Sequence, residues 1–262
     1  MQHFILYLCR CEAAEWMIAM YKYETHCHTS PVSYCGRATP EETVQFYHSR
    51  GYDGLFITNH FLDGNIAPEA KTLPYQEQIE FYFSDYEKAY AEGKSAGIKV
   101  FPAVELSHKG TDFLIYGLYK DWYLSHPEIL EMDKRTELDY LRAAGALVIQ
   151  AHPYREANYI DHIRLFPRSV DGVEVINSSQ PDEANGLASL YASHYGLLQT
   201  AGSDNHWGPG FTEHALERGY SGNIAGVITA DPLQSVEDFI QHVREGKTEI
   251  FSLTEEQILQ NN

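Results

Sequence analysis

The sequence predicts an α/β fold, most simply a closed or distorted β/α barrel. Three observations predict it. Apolar runs of strand length alternate with helical stretches through nearly the whole chain, and such alternation builds right-handed βαβ units around a parallel sheet. There are seven or eight such runs, which favours closure of the sheet over an open one. No internal repeat, low-complexity tract or linker divides the 262 residues, so residues 20–262 read as one domain, long enough to bury a full core.

The elements follow in order. Residues 1–19 carry no clear period and precede Met20-Tyr21-Lys22-Tyr23-Glu24, which reads as a natural start before the first strand. The expectation is an N-terminal extension over 1–19 with Met20 as initiator; the competing reading is a short helix over 12–20. The first strand ends on His26-Cys27-His28. Thr39-Pro40-Glu41-Glu42 opens a helix, with threonine as N-cap, proline in the first turn and acids at the positive end of the dipole. Gly54-Leu55-Phe56-Ile57-Thr58 is a buried strand ending on Asn59-His60. The loop 61–75 is long, a length often found in functional lids. A helix over 75–96 has an apolar stripe and Gly97 as its stop. Strands follow over 98–105, ending on Glu105, and over 112–117. One helix is expected over 127–144. Strands over 146–151 and 172–177 flank His152-Pro153. A helix over 182–195 leads to a strand over 197–201, which ends on Gly202-Ser203-Asp204-Asn205-His206. The last strand is expected over 225–228 and the last helix over 235–245.

Composition narrows the function. Hydrophobic residues make up 44% and charged residues 21%, as in an ordinary globular protein rather than a disordered one. The formal net charge is −18, from 37 acidic and 19 basic residues. Such a field repels a long nucleic-acid duplex. Small phosphorylated substrates remain compatible, because bound cations reverse the sign locally. No run reaches the length of a transmembrane helix, so no membrane partner is expected. Cys9, Cys11, Cys27 and Cys35 all fall in the first 35 residues and cannot staple the body of the fold. With no secretory signal evident, reduced thiols in the cytoplasm are the expectation.

The strand ends carry the chemistry. His26 and His28, two apart in a strand, point to one face while Cys27 points away. In a parallel barrel all strand C-termini open on one rim, where active sites are built. His26, His28, His60, Glu105, His152, Asp204 and His206 would therefore converge. Buried imidazoles and carboxylates in such number need partners, and divalent metals supply them. Nitrogen and oxygen donors suit zinc, manganese or iron, and seven donors exceed one ion's needs, so two or three ions are expected. Neighbouring ions suit hydrolysis of a phosphate ester.

These residues resemble the polymerase and histidinol phosphatase (PHP) superfamily: His26-x-His28, Asn59-His60 after an apolar strand, Glu105 at a strand end, Ala151-His152-Pro153 and Ser203-Asp204-Asn205-His206, in family order over 26–206. The resemblance implies a distorted seven-stranded, TIM-like (β/α)7 barrel of PHP type and a metal-dependent phosphoesterase site. It implies that His26, His28, Glu105 and Asp204 hold one metal, that Glu105 bridges to a second with His152, and that His60 and His206 hold a third. Glu105, Asp204 and His206 become the candidate catalytic side chains. Two positions depart from the commoner pattern: Cys35 stands where an acidic residue or histidine is usual, and Asp112 where a histidine is usual. Both can still ligate, and a Cys35 thiolate would favour zinc; a small loop residue is the plainer reading of Cys35. His108 competes weakly with Asp112.

Arg37 and Arg155 are the candidate phosphate-binding residues, since a guanidinium fork matches phosphate; solvated surface arginines are the ordinary alternative. Lys109 and Arg168 are less well placed. Glu174 reads equally as a support for a ligand histidine and as a structural carboxylate. His3, His48, His126, His162, His194, His214 and His242 fall away from strand ends and read as surface or structural. The expected activity is hydrolysis of a phosphate ester on a small metabolite, nucleotide or short oligonucleotide. Histidinol phosphatase activity and a non-catalytic, metal-binding regulatory domain are the alternatives. A metal amidohydrolase barrel also uses an H-x-H strand, but it wants a lysine at a strand end, and no strand here ends on lysine.

Overall fold

The computed structural model describes residues 20–260. The expected extension over 1–19, with Cys9 and Cys11, lies outside the described residues. Nine strands form one sheet: β1 (Tyr21–Cys27), β2 (Gly54–Ile57), β3 (Lys99–His108), β4 (Thr111–Tyr116), β5 (Leu147–Ala151), β6 (Gly172–Asn177), β7 (Leu198–Gly202), β8 (Ile224–Thr229) and β9 (Thr248–Leu253). Their order is β7-β6-β5-β4-β3-β2-β1-β8-β9. Eight α-helices lie among them: α1 (Pro40–His48), α2 (Tyr75–Ala96), α3 (Lys120–Ser125), α4 (Lys134–Ala143), α5 (Asp182–Tyr195), α6 (Phe211–Glu217), α7 (Val236–Arg244) and α8 (Glu255–Gln260).

The sheet curls until its seventh strand meets its first. Thr25 Oγ1 donates to Ala201 O (2.7 Å). Asp204 N donates to His26 O (2.8 Å) and His28 N to Asn205 O (2.9 Å). The lower half of β1 is taken instead by β8, antiparallel at Tyr21–Tyr23, and β9 extends β8 outward. The result is a nearly closed α/β barrel with nine strands rather than the seven expected.

The pairing corrects the all-parallel expectation. β4 runs antiparallel to both β3 and β5. The turn between β3 and β4 is only Lys109-Gly110, both with positive φ (52° and 81°), as in a tight hairpin turn. Reversal of β4 brings its first residues, not its last, to the rim, and this is why Asp112 lies there. The helix expected over 127–144 is broken. α3 precedes it, a 3₁₀ turn covers Pro127–Glu131, and α4 starts afresh with Asp133 capping Thr136 N. The last strand is β9 and the last helix α8, both beyond the elements expected. Helices α2 and α5 match their expected spans, and the Thr39/Glu42 capping box is formed at α1.

The barrel interior is filled at the end opposite the rim. Phe56, Phe101, Leu114, Tyr116, Leu147 and Ile149 form one buried cluster with Val236, Phe239 and Val243 of α7. Phe239 packs 4.6 Å from Phe56 and 4.9 Å from Tyr116, ring centre to ring centre. The alternate strand residues Leu55, Ile57 and Val100 face outward onto α1 and α2, in a cluster that includes Cys27. An apolar plug thus fixes the lower barrel and leaves the upper rim to polar side chains.

Candidate metal centre

Each of the first seven strands delivers one or two ionisable side chains to the rim. β1 gives His26 and, one residue beyond, His28; β2 leads to His60; β3 gives Glu105; β4 gives Asp112; β5 leads to His152; β6 gives Glu174; β7 leads to Asp204 and His206. The register of β1 slips between Glu24 and Cys27, a bulge that re-aims the side chains after it. Backbone conformation is also unusual at two of these positions: φ is +25° at His152 and +52° at Asp204, a region that residues other than glycine rarely adopt.

The side chains meet. His26 Nε2 lies 3.1 Å from Glu105 Oε1, 3.4 Å from Asp204 Oδ1 and 3.1 Å from His28 Nε2. His60 Nδ1 lies 2.6 Å from Glu105 Oε2. His152 Nε2 stands 3.4 Å from Glu105 Oε1, 3.9 Å from Asp112 Oδ2 and 3.8 Å from Asp204 Oδ2. His206 Nδ1 is 3.3 Å from Asp204 Oδ1. Four groups have donor atoms within 4.8 Å of one another: His28/His60/His206, His26/His152/Asp204, His26/His28/Glu105 and Glu105/Asp112/His152. Cys35 is in none of them, and neither is His108.

A set of supporting residues fixes which nitrogen faces the centre. His26 Nδ1 donates to Glu174 Oε1 (2.9 Å), and Glu174 Oε2 accepts from His152 N (3.1 Å) and Asn177 Nδ2 (2.9 Å). Ser33 Oγ donates to Asn59 Oδ1 (2.9 Å), so it accepts from His28 Nδ1 (3.0 Å). His206 Nδ1 donates to Asp204 O (3.0 Å). Each of these three rings therefore has Nδ1 engaged, which leaves Nε2 for a metal ion, the arrangement that orients metal-ligating histidines. Glu174, fully buried, takes the supporting position. Ser33 and Asn177 were not singled out in the sequence; Asn59 entered only as the first half of Asn59-His60, with no role given to it. Gly202 lets the ring close over His26: a Cβ there would come within 2.5 Å of His26 Cβ and 2.9 Å of Glu174 Oε1.

The electrostatics call for cations. Burial alone would raise the Glu105 carboxyl, but His60, His26 and His28 hold it well below its usual range. Burial likewise opposes the Asp204 charge and is outweighed by His26 and His206. Burial disfavours charge on His26 too, yet Glu174, Asp204 and Glu105 raise it well above the ordinary imidazole value. His28 is kept neutral, by burial first and then by His206 and His60. Even so, both Glu105 oxygens, His60 Nδ1 and both His152 ring nitrogens are buried without a hydrogen-bond partner. Orphaned donors and acceptors of this kind are costly. Imidazole and carboxylate donors fit divalent zinc, manganese or iron.

Around the centre the remaining expected residues divide. Arg155 leans over the mouth: Nη1 is 3.4 Å from Asp112 Oδ2 and Nη2 donates to Tyr159 OH (2.5 Å). Arg37 is exposed beside the mouth, its guanidinium 5.9 Å from the Trp207 ring centre, and it lines neither cavity at the rim. Cys35 sits against His206 and His60; burial would raise its thiol, but hydrogen bonds to these two rings lower it to about 5. Two cavities open at the mouth and share Arg155, Tyr159 and His206. One, of about 510 Å³, also has Cys35, His60, Lys109 and Asp112 in its wall. The other, of about 310 Å³, has Asp204, Trp207, His214 and Arg218. His214 is therefore a wall residue, stacked on Trp207 at 3.9 Å, and not the plain surface histidine expected.

No family model matches the sequence, and no curated protein matches it. Solved structures do. A two-domain protein from Bacteroides vulgatus, described as containing a predicted PHP-like metal-dependent phosphoesterase, superposes with a TM-score of 0.65 at 16% identity over 90% of this chain. The chain spans 65% of that protein's length. PsfC from Pseudomonas syringae superposes with a TM-score of 0.53 at 14% identity, over 92% of this chain and 95% of its own. At these identities the likeness is one of fold. The chain thus shares its fold with a protein described as PHP-like, the family its strand-end motifs resemble.

Proposed function

We propose that this chain is a metal-dependent phosphoric ester hydrolase, acting on a small phosphorylated metabolite, a nucleotide or a short oligonucleotide with two or three divalent ions at the rim. One observation carries the reading: a buried set of imidazoles and carboxylates, drawn from seven strands, in which both Glu105 oxygens and both His152 nitrogens lack a hydrogen-bond partner. His26, His28, His60, Glu105, Asp112, His152, Asp204 and His206 would hold the ions, and Cys35 is near enough to His60 and His206 to join them. Bound ions would polarise the phosphoryl group and supply a hydroxide at neutral pH. The rest falls to the chain. Arg155 presents its guanidinium at the mouth, where it can grip non-bridging phosphate oxygens in a fork. Glu174 holds the His26 ring and the His152 backbone in place. Asp204 and His206 border the smaller cavity, so ions they hold would face a molecule bound there.

The test is release of inorganic phosphate with added manganese or zinc, with and without chelator. The substrates are histidinol phosphate, a nucleoside 3′,5′-bisphosphate and a short 5′-phosphorylated RNA. Asp204→Asn and His60→Ala are expected to lower turnover about 10³-fold while circular dichroism stays native. Turnover indifferent to chelator and to both substitutions would overturn the proposal.

A further inference from the structure

One oxygen of Asp112 has two claims on it. Asp112 Oδ2 lies 3.9 Å from His152 Nε2, a spacing at which two donors can flank one ion at about 2 Å from each. The same oxygen accepts from Arg155 Nη1 (3.4 Å). Asp112 is buried, so water screens little of either contact. The other two carboxylates of the centre differ. Glu105 pairs with His60 and Asp204 with His206, whereas Asp112 pairs with an arginine. A histidine can give up its proton when an ion arrives. A guanidinium keeps its charge and has to move.

The two claims oppose each other. A guanidinium and a divalent ion on one carboxylate oxygen repel. An ion held by Glu105, Asp112 and His152, whose donor atoms lie within 4.8 Å of one another, therefore enters as the guanidinium leaves. The guanidinium has a second resting place. Arg155 is half-buried, and its backbone N is tied to His152 O (2.9 Å). Its Nη2 already donates to the OH of Tyr159 (2.5 Å), an exposed residue, and its guanidinium lies 5.8 Å from that ring's centre. The side chain can leave Asp112 for the mouth while the backbone stays where it is.

We propose that Arg155 gates the ion of Glu105, Asp112 and His152. The guanidinium holds Asp112 Oδ2 until a phosphate oxygen at the mouth draws it off. Ion and phosphate then favour each other's binding, by an equal free energy in both directions. The proposal rests on the hydrolase reading for the ions themselves. What it adds is an order: the ion at Asp112 is held weakly in the empty centre and firmly in the loaded one.

Calorimetric titration of the chelator-treated full chain with manganese tests it, with no turnover needed. The step to follow is the one that Asp112→Asn weakens. Without phosphate, Arg155→Met is expected to tighten that step about tenfold, and Arg155→Gln to match it. Saturating inorganic phosphate is expected to close the gap between wild type and Arg155→Met. In an Asp112→Asn background, whose amide makes no ion pair, Arg155→Met is expected to change nothing, at whatever strength remains. Tightening in that background too would mean a general field effect and overturn the proposal. A gap that phosphate leaves open overturns it, and so does indifference of every step to Asp112→Asn. Equal binding by wild type and Arg155→Met overturns it while the hydrolase reading stands. Manganese bound by neither overturns both.

Discussion

Two clusters of carboxylates, one of them with Asp63 exposed, lie on the same side of the barrel and are balanced in opposite ways. The first joins the loop after β2 to α4: Lys134 Nζ lies 2.8 Å from Asp63 Oδ2 and 2.6 Å from Glu137 Oε2, while Asp63 Oδ1 accepts from Ser107 N (3.2 Å). The second is the rim centre of Glu105, Asp112 and Asp204. In the first the chain provides its own cation. In the second it provides histidines, with Arg155 at Asp112 alone, and leaves Glu105 and His152 with atoms that have no hydrogen-bond partner. A buried charge without a partner is too costly to persist unanswered. The contrast separates a fastening, complete as it folds, from a cluster whose donors could hold ions from solution.

The largest effect that would break this contrast is at the fastening. Lys134→Met leaves Asp63 and Glu137 without a cation and is expected to cost about 3 kcal/mol in urea unfolding, whether or not metal is present. A loss that added zinc or manganese repaired would mean the two clusters are one system. The next concerns the rim centre. Glu174→Gln puts an amide donor where the carboxylate accepts from His26, His152 and Asn177, and is expected to weaken metal binding about 10- to 100-fold in competition with a chromophoric chelator. Unchanged affinity would reduce Glu174 to packing. The smallest sharpens the fastening itself. Burial, partly opposed by Lys134, pushes the Glu137 carboxyl up to about 7. Between its ordinary value and about 7, the folded chain keeps a proton that the unfolded chain releases. Stability therefore falls as pH rises through that window, and Glu137→Gln is expected to flatten the slope in thermal melts. An equal slope in the variant would place the titration elsewhere.

Much of this was legible in the sequence, for physical reasons that also mark where legibility stops. Strand-end histidines could be read because metal-competent side chains are few in kind and the barrel gathers strand ends. The reversal of β4 could have been read as well: only six residues separate the runs 98–105 and 112–117, too few for the crossover a parallel pair needs. Strand β9 was missed because Thr248-Glu249-Ile250-Phe251-Ser252-Leu253 is only half buried at the sheet's edge, so its apolar pattern is thin. Asp133 as a fresh N-cap, hidden inside what looked like one helix, split the stretch before α4. The wall formed by Trp207, His214 and Arg218 was out of reach, because it hangs on α6, a seven-residue helix with little period of its own. Arg37 was placed by sequence neighbourhood alone. In the fold its backbone N donates to His206 O (2.7 Å) while its side chain turns to Trp207.

The seam between β1 and β7 has a consequence for the order of events in the chain's life. Glu24 Oε1 accepts from both His26 N and Ser203 N (2.8 and 2.9 Å), partners 177 residues apart in the chain. His26 and His28 stand on one lip of that seam, Asp204 and His206 on the other. A contact of such long sequence separation closes late. Half of the donors therefore meet the other half only when the ring is shut, and an unfinished or misfolded copy holds no assembled site with which to withdraw ions from a limited supply. On the proposed reading, possession of metal becomes a certificate that the whole barrel has been completed.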